Sequence, residues 1–241
     1  MGEARTIELS TPDGPMAVYE AQPDGDARGA VIVIQEAFGV NAHIEDVTRR
    51  FAAAGYLAVA PALFHRAGGG TAPYDDFSKV MPLYEGLTDD GILMDVDAAL
   101  DHVHGAGFTD DRVGIVGFCF GGRVTFLAGV RRALGAAVGF YGGGIVNQRF
   151  PQFPALVGEA GELRTPWLGL FGDQDGSIPV EDVEALRTAL EQAPVDTEIV
   201  RYPDAEHGFH CDVRPSYDEA AAKDAWRRTI DWFAGHLGAA R

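Results

Sequence analysis

The sequence predicts an α/β fold, a mostly parallel central sheet with helices on both faces, and three observations carry that expectation. The run AVIVI at 30–34 is continuous and β-branched, as in a strand covered on both sides. Segments of helical spacing alternate with further short apolar runs along most of the chain, the pattern of a sheet whose strands are joined by helices. The segment VGIVGFCFGGRVTFLAG at 113–129 passes from an apolar run into helical spacing with only a glycine-flanked turn between them.

Ahead of AVIVI, apolar and polar residues alternate in TIELS (6–10) and again in MAVYE (16–20). Pro12, Asp13, Gly14 and Pro15 stand between them, so the spacing predicts a short antiparallel hairpin at one sheet edge. After AVIVI, Ile44, Val47, Phe51 and Ala54 keep helical spacing over 43–54, Gly55 ends the helix, and YLAVAP (56–61) resumes a buried strand. The pattern repeats as helix 89–104, strand 113–118, helix 121–132, strand 136–141, strand 166–172, helix 180–192 and strand 197–202. A last helix over 216–237 carries Trp226, Ile230 and Phe233 along one face and is expected to pack back on the sheet. Two stretches lack a period: 64–86, with Gly68, Gly69 and Gly70, and 142–165. Both follow strand ends, where open α/β sheets build their sites, so they are expected to roof or line one.

With 241 residues, 46% of them hydrophobic, the chain can bury the core of one domain over 1–241. A formal net charge of −17 opposes binding to phosphate backbones or anionic lipid, which excludes nucleic acid and membrane surfaces as expected partners. No apolar stretch is long enough to span a bilayer, and the start MGEARTIELSTPDG lacks the apolar core of a signal peptide. A cytoplasmic protein is expected, as a monomer or small homo-oligomer. The two cysteines, Cys119 and Cys211, form no disulfide framework and read as free thiols.

Cys119 stands where the strand meets the helix, with Gly117 and Gly121 two places away on either side. So tight a turn crowds the flanking backbone, which demands residues without a Cβ, and projects the central side chain from the top of the sheet. The start of a helix also favours a thiolate, and the N–H of Phe120 can hold a developing oxyanion. None of the four serines, Ser10, Ser78, Ser177 and Ser216, has such a setting. Cys119 is therefore the candidate nucleophile.

A nucleophile on this kind of turn needs a base and an orienting acid, in the chain order nucleophile, acid, histidine. Asp175, deep in the loop GDQDGSIP (172–179), is the candidate acid, with Asp173 as runner-up. His207 in the turn DAEHGFH (204–210) is the candidate base, with His210 as the alternative. No metal is expected, because His102 and His104 are two apart on a helix and face different ways, while His207, His210 and Cys211 lack a fourth partner. No cofactor is expected either.

From about Val31 to the last helix the chain resembles the dienelactone hydrolases (carboxymethylenebutenolidases) of the α/β-hydrolase superfamily. The likeness rests on QEAFGVN (35–41), PALFHR (61–66), GFCFGG (117–122), GDQDGSIP (172–179) and AEHGF (205–209). It implies an α/β-hydrolase fold and a Cys119, His207, Asp175 triad that cleaves an enol-lactone or carboxylic ester through an acyl-enzyme. It places Glu36 near the thiol as its activator and the N–H of Ala37 beside that of Phe120 in the oxyanion hole. A glutamate after a buried strand needs a partner, for which Arg66 and Arg123 are the candidates. The family holds a substrate carboxylate with two arginines. Arg66 matches the first, and Cys211 stands where the second is expected, so Arg214 or Arg123 would have to replace it. Phe38 and Tyr141 complete the expected substrate-binding set. A general esterase or thioesterase with the same residues, and a noncatalytic receptor on the same shell, are the competing readings.

Overall fold

The structure, a computed structural model, describes residues 2–238. Strands β1 (Ala4–Thr11) and β2 (Gly14–Ala21) form the hairpin, followed by β3 (Ala30–Ile34), α1 (Ala42–Ala53) and β4 (Leu57–Pro61). Next come a single turn, α2 (Val80–Leu83), then α3 (Asp89–Gly105), β5 (Val113–Phe118), α4 (Phe120–Arg131) and β6 (Ala136–Phe140). The chain continues through β7 (Trp167–Gly172), α5 (Val180–Leu190), β8 (Thr197–Tyr202) and α6 (Glu219–His236). The strands join in the order β1-β2-β4-β3-β5-β6-β7-β8, antiparallel across β1, β2 and β4 and parallel from there on. This is the mostly parallel α/β-hydrolase sheet with an N-terminal hairpin that the sequence predicts.

Every residue of β3, β4, β5, β6 and β7 is buried, which is why these strands read as unbroken apolar runs. The edge strand β1 is mostly exposed and carries Arg5 and Glu8, charges that discourage a further strand from adding there. Parallel crossovers are right-handed, and β4 and β5 lie on opposite sides of β3, so α1 and α3 cover opposite faces. The later crossovers to β6 and β8 run in the direction of the one to β5, which puts α4 and α5 on the face of α3. Phe51 of α1 packs 4.7 Å from Trp226 and 5.9 Å from Phe233 of α6, so α6 returns to the other face.

The helix ends differ from expectation by a few residues, and caps explain the largest case. The last helix begins at Glu219 rather than 216 because the Asp218 carboxylate accepts from the N–H of Ala221. Similarly, α5 ends at Leu190 rather than 192, and β6 ends at Phe140, one residue before Tyr141. No helix among the described residues is long and apolar enough to cross a membrane.

The register aligns the ends that matter. Ile34 pairs with Gly117, Phe118 with Phe140 and Gly172 with Tyr202, so the loops bearing Glu36, Cys119, Asp175 and His207 all leave the same carboxyl edge.

Candidate active site

Cys119 is the N-cap of α4 and holds φ 55°, ψ −112°, a conformation that L side chains rarely adopt. Its N–H donates to Phe140 at 3.0 Å and its carbonyl accepts from Gly122 at 3.0 Å, so the turn is pinned on both sides. A Cβ at Gly117 would lie 2.1 Å from the Gly121 carbonyl oxygen, and one at Gly121 would lie 2.5 Å from that of Ile34. Neither position accepts alanine without moving the backbone. Strain at a partly exposed thiol, over-determined by its neighbours, is what a nucleophile turn requires. The N–H of Phe120, in the first turn of α4, has no acceptor within the helix, and both Ala37 and Phe120 line the cavity beside Cys119.

His207 Nδ1 stands 2.6 Å from Asp175 Oδ2. The other carboxylate oxygen accepts from the Ser177 N–H (2.8 Å), the Ser177 hydroxyl (2.6 Å) and the Ile178 N–H (3.2 Å), so the buried acid has a full set of donors. Burial alone would raise the Asp175 pKa, but the bonds from His207 and Ser177 hold it below the ordinary carboxylate value. For His207 burial works the other way and loses. The neighbouring Cys119 and the bond to Asp175 raise the imidazole to about 10. Asp173, the runner-up, is committed elsewhere: Arg201 of β8 binds it through two bonds of 2.7 and 2.8 Å.

His210 is not an alternative base. It is buried, stacked 5.2 Å from Phe118 and 6.2 Å from Trp226, and its Nδ1 has no partner among the described residues. Burial, helped by the nearby charges of His43 and Arg50, lowers its pKa to about 3. A histidine that binds protons less readily when folded adds stability that is complete above its unfolded pKa of about 6.5 and is lost as pH falls towards 3. His207, raised to about 10, adds stability that is complete below about 6.5 and fades as pH rises through 10. His210→Phe is therefore expected to lose less stability than the parent between pH 7 and 5, by about 2 kcal/mol in urea unfolding. Equal losses in the two proteins would exclude His210 as the source.

Glu36 is wholly buried, and neither of its expected partners reaches it. Tyr74 donates its hydroxyl to Oε2 at 2.8 Å, and Arg214 Nη1 lies 3.5 Å from Oε1. Asn41 donates to the same Tyr74 hydroxyl at 3.1 Å, and the buried Cys211 thiol lies 3.5 Å from it. Burial first and the Glu36 charge next push the Tyr74 phenol upward, so it stays a donor. Tyr74 and Asn41 are functional candidates that the sequence reading missed. Tyr74 sits in the aperiodic stretch 64–86, where no spacing marks a partner for Glu36.

Arg66 is a correction. Its guanidinium binds Asp95 through bonds of 2.6 and 3.0 Å, Asp13 at 2.7 Å and the Gly91 carbonyl at 3.1 Å, and it does not line the cavity. A helix facing the loop, α3, supplies the acid that captures it. Arg123 does line the cavity, but Asp89 takes both of its Nη atoms, at 2.7 and 2.9 Å. Arg214 pairs with Glu36 and lies over the Tyr74 ring. Phe38 and Tyr141 also differ from expectation, because both stand behind the wall: Phe38 packs 4.6 Å from Tyr74, and Tyr141 supports the His207 ring at 5.0 Å.

The cavity over Cys119 and His207 has a volume of about 280 Å³. Both aperiodic loops line it, the first with Phe77 and Tyr84, the second with Gly143, Gly144, Arg149, Phe150 and Phe153. Ser177, beside Asp175, and Arg149 were not anticipated. For Ser177 the signal was present, since a serine two residues after an aspartate readily closes on its carboxylate.

A family model described as the dienelactone hydrolase family matches residues 16–237. A protein of Salmonella typhimurium (strain LT2), named "Putative carboxymethylenebutenolidase", is 45% identical over 233 residues, covering 92% of this chain and 84% of its own. A Bradyrhizobium protein named "Probable 2-oxo-3-(5-oxofuran-2-ylidene)propanoate lactonase" is 31% identical over 235 residues, 96% of this chain and 94% of its own. Among solved structures, a "Putative Dienelactone Hydrolase" from Klebsiella pneumoniae superposes with a TM-score of 0.87 at 40% identity, covering 96% of this chain and 99% of that one.

Proposed function

This chain belongs to the dienelactone hydrolase family, and on that premise we propose that it hydrolyses an enol-lactone or carboxylic ester through a covalent bond to Cys119. The observation that carries the reading is the hydrogen bond of 2.6 Å between Asp175 and His207, with His207 and Cys119 side by side in the lining of one aromatic-walled cavity. Cys119, its proton passed to His207, attacks the carbonyl carbon as the thiolate, and the N–H groups of Phe120 and Ala37 receive the developing oxyanion. His207, protonated near neutral pH, donates its proton to the departing oxygen.

Acylation then changes the histidine. Once the sulfur is a thioester its charge is gone, and with it the largest contribution that raises the His207 pKa. Against the burial that lowers it, the ring becomes a competent base, takes a proton from water and directs hydroxide at the thioester. Asp175 stays ionised throughout and holds the ring in one orientation. Glu36, held by Tyr74 and Arg214 on the loop after β3, is in this reading the group that conditions the thiol.

A panel of small lactones and aryl esters tests the reaction class, with mass spectrometry under acid quench to catch an acyl group on Cys119. In a parallel experiment iodoacetamide is expected to modify the partly exposed Cys119 ahead of Cys211, which is buried and whose thiol burial pushes upward. Protection by a slow substrate should follow. An inert Cys119 together with no cleavage across the panel would favour a receptor on this shell.

A further inference from the structure

We propose that Ser177 is a positioning residue for the acid and base: its hydroxyl closes on one oxygen of Asp175, fixes the other on His207, and limits the negative charge that reaches the imidazole, so that the ring can serve as a base once Cys119 carries an acyl group. This deepens the hydrolase reading and rests on it.

The geometry separates what Ser177 does from what any residue there would do. Of the donors on Asp175 Oδ1, the N–H groups of Ser177 and Ile178 belong to the main chain, at 2.8 and 3.2 Å, and survive a change of side chain. The Ser177 hydroxyl, at 2.6 Å, is the shortest of these bonds and the one that depends on serine. With Oδ1 so held, the carboxylate cannot rotate without breaking these bonds, and Oδ2 stays 2.6 Å from His207 Nδ1. Ser177 is itself tied down, because Arg149, on the loop after β6, donates to its main-chain carbonyl. Both residues line the cavity with Cys119 and His207.

A donor that stabilises a carboxylate also makes it a weaker acceptor for its other partner. Against the burial that raises the Asp175 pKa, the bonds from His207 and then from Ser177 lower it. The balance matters after acylation, when the sulfur charge is gone and Asp175 is the main group holding a proton on the ring. Too strong a pull would keep His207 protonated when it must take a proton from water. One contact acts in the opposite sense: Ser177 Oγ lies 3.4 Å from His207 Nδ1 and could share its proton. That distance is near the limit of a hydrogen bond, while Oδ2 already takes the same N–H at 2.6 Å, so the effect through the carboxylate sets the sign.

The other titratable or charged groups near the ring come from several elements. Cys119 stands at the start of α4 and Arg149 on the cavity wall, and the Tyr141 ring, 5.0 Å away, is kept neutral by burial. Asp204 and Glu206 are exposed on the turn that carries His207, and Arg214, which lies against Gly208, is paired with Glu36. Ser177→Ala keeps all of them, including the main-chain carbonyl that Arg149 binds.

An NMR titration of the imidazole in protein carrying Cys119→Ala, where the sulfur charge is missing as in the acyl-enzyme, reads the effect directly. Adding Ser177→Ala is expected to raise the His207 pKa by about half a unit to one unit, part of the strength of a hydrogen bond to a charged group. Ser177→Thr, which keeps the hydroxyl, should leave it at the value without the second substitution. In protein with Cys119 intact, on an ester whose acyl-enzyme hydrolysis limits turnover, Ser177→Ala should move the acid limb of kcat upward by the same amount. Below that limb kcat falls by about three- to tenfold, and on the plateau above it stays within about twofold. An unmoved His207 titration, an equal shift in Ser177→Thr, or a uniform fall in kcat at every pH overturns the proposal. Should the parent protein cleave no ester or lactone, the hydrolase reading falls and the titration alone decides whether Ser177 acts on His207. Ser177 is exposed, so the fold is expected to tolerate both variants, with a melting temperature as the control.

Discussion

Cys119→Ala is expected to lose ester and lactone cleavage by at least about a thousandfold, with the melting temperature little changed. The Cys119 side chain is only partly buried, and the turn that carries it is held by backbone bonds to Phe140 and Gly122 and by the close approach of Gly117 to Gly121. Removing the sulfur leaves the cavity, the Ala37 and Phe120 N–H groups and the Asp175–His207 pair in place, so stability and activity are expected to separate. Steady-state kinetics on an activated aryl ester, beside a thermal melt, makes the measurement. Retention of full activity would exclude Cys119 as nucleophile and leave the family membership standing without this mechanism. Cys119→Ser should recover only a small part of the rate, because the site holds an alcohol less ready to ionise in the place of a thiol.

Asp175→Asn is expected to cost about a thousand- to ten-thousandfold in kcat while altering the structure little. The direction follows from the donors around the carboxylate. Oδ1 accepts from the Ser177 N–H, the Ser177 hydroxyl and the Ile178 N–H, so the amide oxygen of asparagine takes that side and the NH2 turns to His207 Nδ1. The ring must then accept at Nδ1 and carry its proton on Nε2, facing Cys119, the wrong tautomer for a base. The loss should appear in kcat with KM nearly constant, and the pH profile should lose the limb that His207 contributes. A variant with parental kinetics would mean that Asp175 only caps the loop. Asp173→Asn, which breaks the contact to Arg201 instead, should leave kcat close to parental and act on stability alone.

The reach of sequence reading differs from element to element. AVIVI and VGIVGF are apolar throughout because both faces of those strands are covered, and burial of that kind is written into consecutive residues. The thiol turn was legible for the same reason: Gly117, Cys119 and Gly121 collide with one another and with the adjacent strand, so the demand on them is local. Asp175 and His207 could be placed on neighbouring strand ends but not joined. Spacing alone leaves Asp173 and His210 open, and Arg201 on β8 and the stack of Phe118, His210 and Trp226 remove them.

Arginine partners were the least legible part. Arg66 and Arg123 looked free in the chain, yet Asp95 and Asp89, both on α3, bind them once that helix folds back over the sheet. Glu36 finds Tyr74 and Arg214, which lie 38 and 178 residues away. Arg149 gave no sign in a loop without period, because only the fold brings it to the cavity.

The amino-acid sequence by itself determined the order of strands and helices, the strained turn at Cys119 and the loops that carry Asp175 and His207, because hydrophobic period and steric crowding act between residues close along the chain. Only the tertiary structure decided which aspartate meets the histidine, which histidine keeps a proton, what holds Glu36 and which arginines face the cavity. Those are choices among charges whose neighbours are set by strand order and helix crossover, and whose energies depend on burial and distance rather than on position in the chain.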